Sequence, residues 1–375
     1  MVSRELSEHL GYHLDSTKVG AYRAALAANV SPDRTVLDLG SGTGLLGFLA
    51  LEGGAKHVHA VESGAIIDIA QRTFAAAGYR SQVSMHQTSS TELELDELVD
   101  VVVCDQIGGF VHDAGVLSYF ADARERLATS EATYIPSSFD FYCVPIRHQR
   151  LRDSIDRWID APSSAPVAHI HKHSVNTEHY FTDVADVALL GESACIGTRA
   201  SHDESAAVMS GEMLIDETGQ LDGIAGYFVA HMAPGVTLTN DPASPSRMNR
   251  WCNFYPVEEP IQVQAGDRVG VEIDLRPASR LMSWTITVTS ESGDRRVSRH
   301  STLLGDFVSK RDLSHAAPSV STAVSDAVAA ALDLADGNHN RSEIIDAVFA
   351  NHAGAFTSRR HCASILQAVL GQLSR

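Results

Sequence analysis

The feature that most constrains this chain is a glycine-rich turn set between a strand and a helix. Thr35-Val-Leu-Asp-Leu39 is a short apolar run, Gly40-Ser-Gly42-Thr-Gly44 follows at once, and Gly44 to Gly53 carries apolar helix formers. Glycines this close together let backbone approach a ligand, and the helix behind them turns its free N–H groups toward the same point. His57 to Val61 then reads as a second strand, Ala65 to Ala77 as a second helix and Val99 to Cys104 as a further strand. Such alternation predicts a parallel sheet covered by helices on both faces. Glu62 ends the second strand, where its two oxygens can accept both hydroxyls of a ribose. The glycines are packed closer than in the dinucleotide fingerprint, so hydride transfer is not signalled.

The rest of the chain follows other rules. The first thirty residues read as helical, with Leu6, Leu10, Leu14, Val19, Tyr22 and Leu26 near helical spacing. Pro136 stops the alternation. From Phe139 to Ile146, and again in Ile261-Gln-Val-Gln, Val269-Gly-Val-Glu-Ile and Trp284-Thr-Ile-Thr-Val, a two-residue period predicts an antiparallel sheet or barrel over about 139–305. Beyond Lys310 come a Ser/Ala-rich linker, a helix from Ser321 to Ala335, a stop at Asp336-Gly337-Asn338, and a helix from Asn340 to Ala350. Asn340 and Glu343 stand at capping-box spacing, and a third helix covers about Ser358 to Leu373. This tail resembles small winged-helix-like modules. The predicted domains are therefore 1–136, 137–309 and 310–375, and 375 residues are enough for more than one core.

Charge narrows the partners. Against 29 Lys and Arg stand 47 Asp and Glu, a net charge of −18, which argues against a nucleic-acid partner, since phosphate binding needs clustered Lys and Arg. No run of eighteen apolar residues exists, and Met-Val-Ser-Arg-Glu leads into charged sequence, so no membrane partner and a cytoplasmic location are expected. The five cysteines lie far apart and read as free thiols. His169-Ile-His171-Lys-His173 alternates as a chelating strand would, but no cysteine or carboxylate stands close by. It is read as an exposed strand or arm, and no metal is predicted.

Over about residues 9 to 300 the chain resembles the protein arginine methyltransferases. His9, Tyr12, Asp15, Lys18 and Tyr22 fall at the spacings of that family's N-terminal helix, Val36 to Gly44 and Ala60-Val-Glu62 on its first two motifs, and Thr91-Glu92 where it contacts adenine. Ala123-Arg-Glu-Arg-Leu127 with Tyr134-Ile-Pro136 resembles its passage out of the cofactor domain. Ala225-Gly-Tyr-Phe228, Ser244-Pro245 and Arg250-Trp251 match its barrel. The resemblance implies a Rossmann-like doubly wound methyltransferase domain, then an antiparallel β-barrel domain and a small helical C-terminal domain, with S-adenosyl-L-methionine as cofactor. The cofactor contacts it implies are Tyr12, Asp15, Lys18, Asp38, Gly40, Ser41, Gly42, Gly44, Glu62, Ser63, Thr91, Glu92 and Asp105. Lys18 stands where the family has an arginine that pairs with the methionine carboxylate. Lysine keeps the charge and loses the fork. The segment from Trp158 to Val187 falls on the arm through which the family dimerises, so a homodimer is expected.

The acceptor region departs from the family. Its two glutamates lie on a hairpin after the fourth strand, here Cys104-Asp105-Gln-Ile-Gly-Gly-Phe-Val-His112-Asp113-Ala114. Asp105 falls on the first glutamate, one methylene shorter, and Ala114 on the second, with Asp113 one place before it. The family's Thr-His-Trp is Asn249-Arg250-Trp251, so a histidine has become a permanent cation. Two acceptors fit Asp105, Asp113, His112 and Arg250. One is a guanidino group of arginine, or of an arginine-like small molecule, peptide or natural-product precursor, held by the aspartates. The other is a carboxylate held by Arg250, making a carboxyl O-methyltransferase. A catalytically inactive scaffold is the alternative of another class.

Overall fold

The computed structural model describes residues 4–163, 165–277, 281–305, 307–309, 322–356 and 358–371. Two helices lead, α1 (Arg4–Leu14) and α2 (Ser16–Asn29). The break between them has a chemical cause. The Asp15 carboxylate caps α2 by accepting the Lys18 backbone N–H, which divides the expected helical stretch in two.

A parallel sheet follows, made of β1 (Thr35–Leu39), β2 (His57–Val61), β3 (Val83–His86), β4 (Val99–Cys104) and β5 (Ala128–Ile135) in the order β3-β2-β1-β4-β5. Its crossovers are α3 (Leu45–Glu52), α4 (Ile67–Ala76) and α5 (Val116–Arg126). Val36, Leu37, Leu39 and Val101 to Cys104 are buried, as central strands covered on both faces must be. The order reverses between β1 and β4. In a doubly wound sheet that reversal opens a crevice outside the carboxyl ends of the strands, where ligands bind.

After Pro136 the pairing becomes antiparallel. The elements are β6 (Ser138–Arg147), α6 (Gln149–Asp156), α7 (His171–Ser174), β7 (His179–Phe181), β8 (Ala188–Leu189), β9 (Ala194–Ala200), β10 (Ala207–Leu214), β11 (Gly219–Ala233), β12 (Val236–Thr239), β13 (Cys252–Val263), β14 (Arg268–Arg276), β15 (Leu281–Thr289) and β16 (Arg295–Ser301). Hydrogen bonds group them into a sheet β7-β13-β11-β6-β8, with β12 on β11 and β9 on β6, and a second sheet β10-β14-β15-β16. The barrel region is thus two antiparallel sheets sharing one core with the parallel domain. Buried Trp284 on β15 ties them together by donating its indole N–H to the Pro256 carbonyl on β13 at 3.1 Å.

The tail has its own small core of Ala327, Ile344, Ile345, Val348, Cys362 and Leu366. Helices Thr322–Asp333, Arg341–His352 and Arg359–Gly371 form where the sequence predicts them. The capping box is present, Asn340 accepting from the Glu343 N–H at 3.0 Å and Glu343 accepting from the Asn340 N–H at 2.9 Å. The expected stop at Asp336-Gly337-Asn338 is instead part of a strand, Asp336–Asn340, paired with Phe307–Ser309. The Ser/Ala-rich linker after Lys310 lies outside the described residues. No helix among the described residues is long and apolar enough to cross a membrane.

Candidate active site

The crevice holds two adjoining cavities that share Gly40, Glu62 and Gln106. The larger, about 410 Å³, falls in the range usual for small-molecule sites. Tyr12, Lys18, Gly40, Ser41, Gly42, Glu62, Asp105, Ala114, Arg250 and Trp251 are among its lining residues. The smaller, about 80 Å³, is bounded by Leu39, Val61, Ser63, Thr88, Ser89, Ser90 and Tyr119.

The first wall is the glycine turn. Gly40 and Gly42 both have positive φ, +71° and +51°. A Cβ on the first would collide with the Gln106 side chain and on the second with the His9 ring. Only glycine leaves that space open. The Glu62 carboxylate braces the turn, accepting from the Gly42 N–H at 3.1 Å and the Gly64 N–H at 2.7 Å. Buried Ser41 Oγ has no hydrogen-bond partner among the described residues and lines the larger cavity, as expected of a cradle built to meet a polar ligand. Helix α1 closes over the turn, with His13 Nε2 and Thr43 Oγ1 2.9 Å apart.

Two residues expected at the cofactor lie beneath the turn instead. Asp38 is fully buried and accepts the Gly47 N–H at 2.8 Å, which anchors α3. Burial raises its carboxyl to about 7. Gly44 caps α3 at φ +86°, packed against Phe74. Thr91 and Glu92 are exposed on a short 3₁₀ turn, just past the Thr88 to Ser90 wall. Asp15 is held by two backbone donors, Lys18 N–H at 3.0 Å and Asn249 N–H at 2.7 Å, and so pins α2 to the loop that carries Arg250.

The opposite wall gathers around Asp105, at the carboxyl end of β4. Lys18 Nζ lies 2.6 Å from its Oδ2 and Arg250 Nη2 3.0 Å from its Oδ1, while the Tyr22 hydroxyl, which donates to the Cys104 carbonyl at 2.8 Å, stands 3.4 Å from Oδ1. Both cations are buried, Lys18 at 2 % and Arg250 at 5 % exposure, and Lys18 rests on the Tyr12 ring at 4.0 Å. Burial pushes the Lys18 ammonium below its usual range, and the Asp105 carboxylate opposes that shift. Two cations and one carboxylate leave this trio with one excess positive charge.

The other two acceptor-hairpin residues expected to act are bonded within the fold and are not among the lining residues of either cavity. The Asp113 carboxylate accepts from the Gly109 N–H at 2.9 Å, the Phe110 N–H at 3.1 Å and the Trp251 indole N–H at 3.0 Å. Its shape and charge complete the hairpin. His112 faces Glu178 at 3.1 Å. Burial alone would lower the His112 ring, but the Glu178 carboxylate, aided by Asp113 and the Phe110 carbonyl, more than reverses this and raises it to about 9. Between them Val111 adopts φ +70°, and the His112 N–H bonds back to the Phe110 carbonyl at 2.8 Å. This is a tight turn that strains a β-branched residue.

Sequence reasoning missed several contributors. Glu178 anchors both His112 and, at 2.9 Å, Asn253. Buried Asn240 donates to the carbonyls of Gly109 at 2.8 Å and Trp251 at 2.7 Å, clamping the hairpin to the Arg250 loop. Gln106 and Tyr119 line the smaller cavity. Gln106 directly follows Asp105 at a strand's carboxyl end, a signal that could have singled it out. Nothing local marks the others. The histidine triplet, expected in a strand or arm, lies in a 3₁₀ turn and the short α7, each ring held separately by Pro166, Asp156 or Leu304. No metal-binding group occurs among the described residues.

Comparison with known proteins agrees with the fold. The family described as "Methyltransferase domain" matches residues 36–130. "Probable protein arginine N-methyltransferase 6" of Arabidopsis thaliana is 31% identical over 157 residues, which cover 40% of this chain and 36% of that protein. "Histone-arginine methyltransferase CARMER" of Drosophila yakuba is 23% identical over 325 residues, covering 80% of this chain and 59% of that protein. The chain thus spans less than two thirds of the length of either relative. Among solved structures, the Trypanosoma brucei PRMT1 enzyme–prozyme heterotetrameric complex with AdoHcy aligns with a TM-score of 0.67 at 19% identity, over 78% of this chain and 97% of that one. Arabidopsis thaliana protein arginine methyltransferase 10, in an open conformation, aligns with a TM-score of 0.68 at 20% identity, over 79% and 98%.

Proposed function

We propose that this chain, an arginine methyltransferase-like protein of the class I S-adenosylmethionine-dependent group, methylates a guanidino nitrogen held by Asp105. S-adenosylmethionine supplies an electrophilic methyl group on a sulfonium. The residues that would hold it are Gly40, Ser41, Gly42, Glu62, Ser63 and Gln106, which line the two cavities, and Lys18 would serve as counter-ion to its carboxylate. The chain's own task is then to orient the acceptor nitrogen and keep water out.

One observation carries the acceptor assignment. The Asp105 carboxylate, at the cavity wall, already grips the Arg250 guanidinium at 3.0 Å, so it has the reach and orientation to bind such a group. A guanidino acceptor would be held by one carboxylate where the family has two, because Ala114 lines the cavity at the second position. The excess positive charge of the Lys18, Asp105 and Arg250 trio favours a second reading, in which a carboxylate acceptor is O-methylated with Arg250 as its anchor. An inactive scaffold fits poorly with an open cavity and an unpartnered serine in its cradle.

The deciding experiment is transfer of labelled methyl from S-adenosylmethionine to free arginine, guanidino analogues, arginine-rich peptides and small carboxylic acids. Asp105→Asn is assayed alongside. Label on a guanidino nitrogen that falls at least ~100-fold in the variant supports the first reading. Base-labile label on a carboxylic acid, undiminished in the variant, replaces it with the second. We further propose self-association through residues 158–187, where Trp158, Ile159 and Tyr180 are exposed. Light scattering at micromolar concentration that returned a single-chain mass would refute it.

A further inference from the structure

Lys18 belongs to both halves of the site. Its ammonium faces the cavity beside the glycine turn, yet its side-chain hydrogen bond is to Asp105 Oδ2 at 2.6 Å. The nearest alternative counter-ion, Asp15, is bound by two backbone N–H groups and caps α2. The other oxygen of Asp105 is already taken by Arg250. In this state both oxygens of the proposed acceptor ligand are occupied, and the surrounding charge opposes an incoming cation.

We infer that Lys18 couples the two halves of the site: by engaging the carboxylate of the cofactor's amino-acid end it loosens its hold on Asp105, which then becomes available to a cationic acceptor. The electrostatics give the direction. S-adenosylhomocysteine brings a zwitterionic amino-acid end that leaves the site's net charge unchanged, so the coupling comes from its carboxylate competing with Asp105 for the Lys18 ammonium. Lys18 also shares its attraction between two anions, and each is held less tightly for it. Such coupling is reciprocal, since whatever cofactor product does for guanidinium binding, guanidinium does for cofactor product. Lys18 is a positioning residue in this scheme, acting on the acceptor through Asp105. The inference rests on the proposed function in both arms, on the guanidino reading for the acceptor and on Lys18 as counter-ion to the cofactor's carboxylate.

The test is titration calorimetry on the full chain, with S-adenosylhomocysteine and guanidinium ion as probes. In the unaltered protein, guanidinium binds at least fivefold tighter when S-adenosylhomocysteine is saturating. In Lys18→Met that factor falls to about one, with cofactor-product binding weakened but measurable. Asp105→Asn, which removes the competing carboxylate, binds S-adenosylhomocysteine severalfold tighter than the unaltered protein. A melting temperature within a few degrees of the unaltered protein establishes that each variant is folded. Equal guanidinium affinity with and without S-adenosylhomocysteine overturns the coupling. Unchanged or weaker S-adenosylhomocysteine binding by folded Asp105→Asn overturns the competition at Lys18. Guanidinium that binds in neither state defeats the acceptor reading instead, and the competition is then decided by Asp105→Asn alone.

Discussion

The two walls of the cavity are built in opposite ways. The glycine-turn wall is left incomplete, since Gly40 and Gly42 lack the side chains that would fill it and Ser41 Oγ has no partner among the described residues. The Asp105 wall is complete in itself, because every charge on it meets another from the same chain. A surface left open is ready for a ligand of fixed shape. A surface that satisfies itself exchanges an internal contact for each contact to a ligand, and its affinity is the difference between them. The same contrast separates Asp105 from Asp113 within one hairpin. Asp105 faces the cavity, and Asp113 is closed off by three N–H donors.

Four measurements would break or sharpen that contrast. The largest effect is expected at Asp113. Asp113→Ala strands three donors in a part-buried hairpin and should cost about 3 kcal/mol in denaturant unfolding. Activity lost at unchanged stability would move Asp113 to the acceptor side.

Next is a pH effect at His112. Its folded value of about 9 lies above the usual 6.5 of an imidazole, so the stability contributed by its charge is complete below about 6.5 and lost as pH rises through 9. Unfolding free energy should decline over that window by up to roughly 3 kcal/mol. His112→Gln or Glu178→Gln should flatten the decline, and an unchanged slope in both would dissolve the pair.

A smaller effect is expected at the open wall. Gly42→Ala forces φ +51° on a residue with a Cβ and fills space beside His9, so S-adenosylhomocysteine affinity should fall about tenfold by calorimetry. Unchanged affinity would mean that the turn is not a cradle. Ala114→Glu, finally, supplies a second carboxylate to the closed wall. Guanidinium binding should tighten a few-fold, whereas a fall would favour the carboxylate acceptor.

How much was legible follows from how local each signal is. The strand, turn, helix and second strand from Thr35 to Val61 lie within one short stretch, and their period and glycine spacing appear at the expected places in the fold. The capping box at Asn340 and Glu343 was equally readable, for the same reason. Asp105 could be singled out because it ends a strand of the parallel sheet. The orientation of Asp113 could not, since its donors include an indole 138 residues away. The His112 partner is 66 residues distant and carries no motif, so nothing in the local pattern revealed that the ring would be charged. The strand at Asp336 replaced an expected turn because a distant segment, Phe307–Ser309, offered its backbone for pairing, which Asp-Gly-Asn does not announce.

By itself, then, the sequence determined the parallel sheet, the open glycine cradle and the carboxylate at the end of β4, because each depends on backbone conformation and periodicity among near neighbours. Tertiary structure alone decided which charges meet. It brought Lys18 to Asp105 across 87 residues and Arg250 to the same carboxylate across 145. An ion pair is set by distance and burial in space, and sequence separation carries neither.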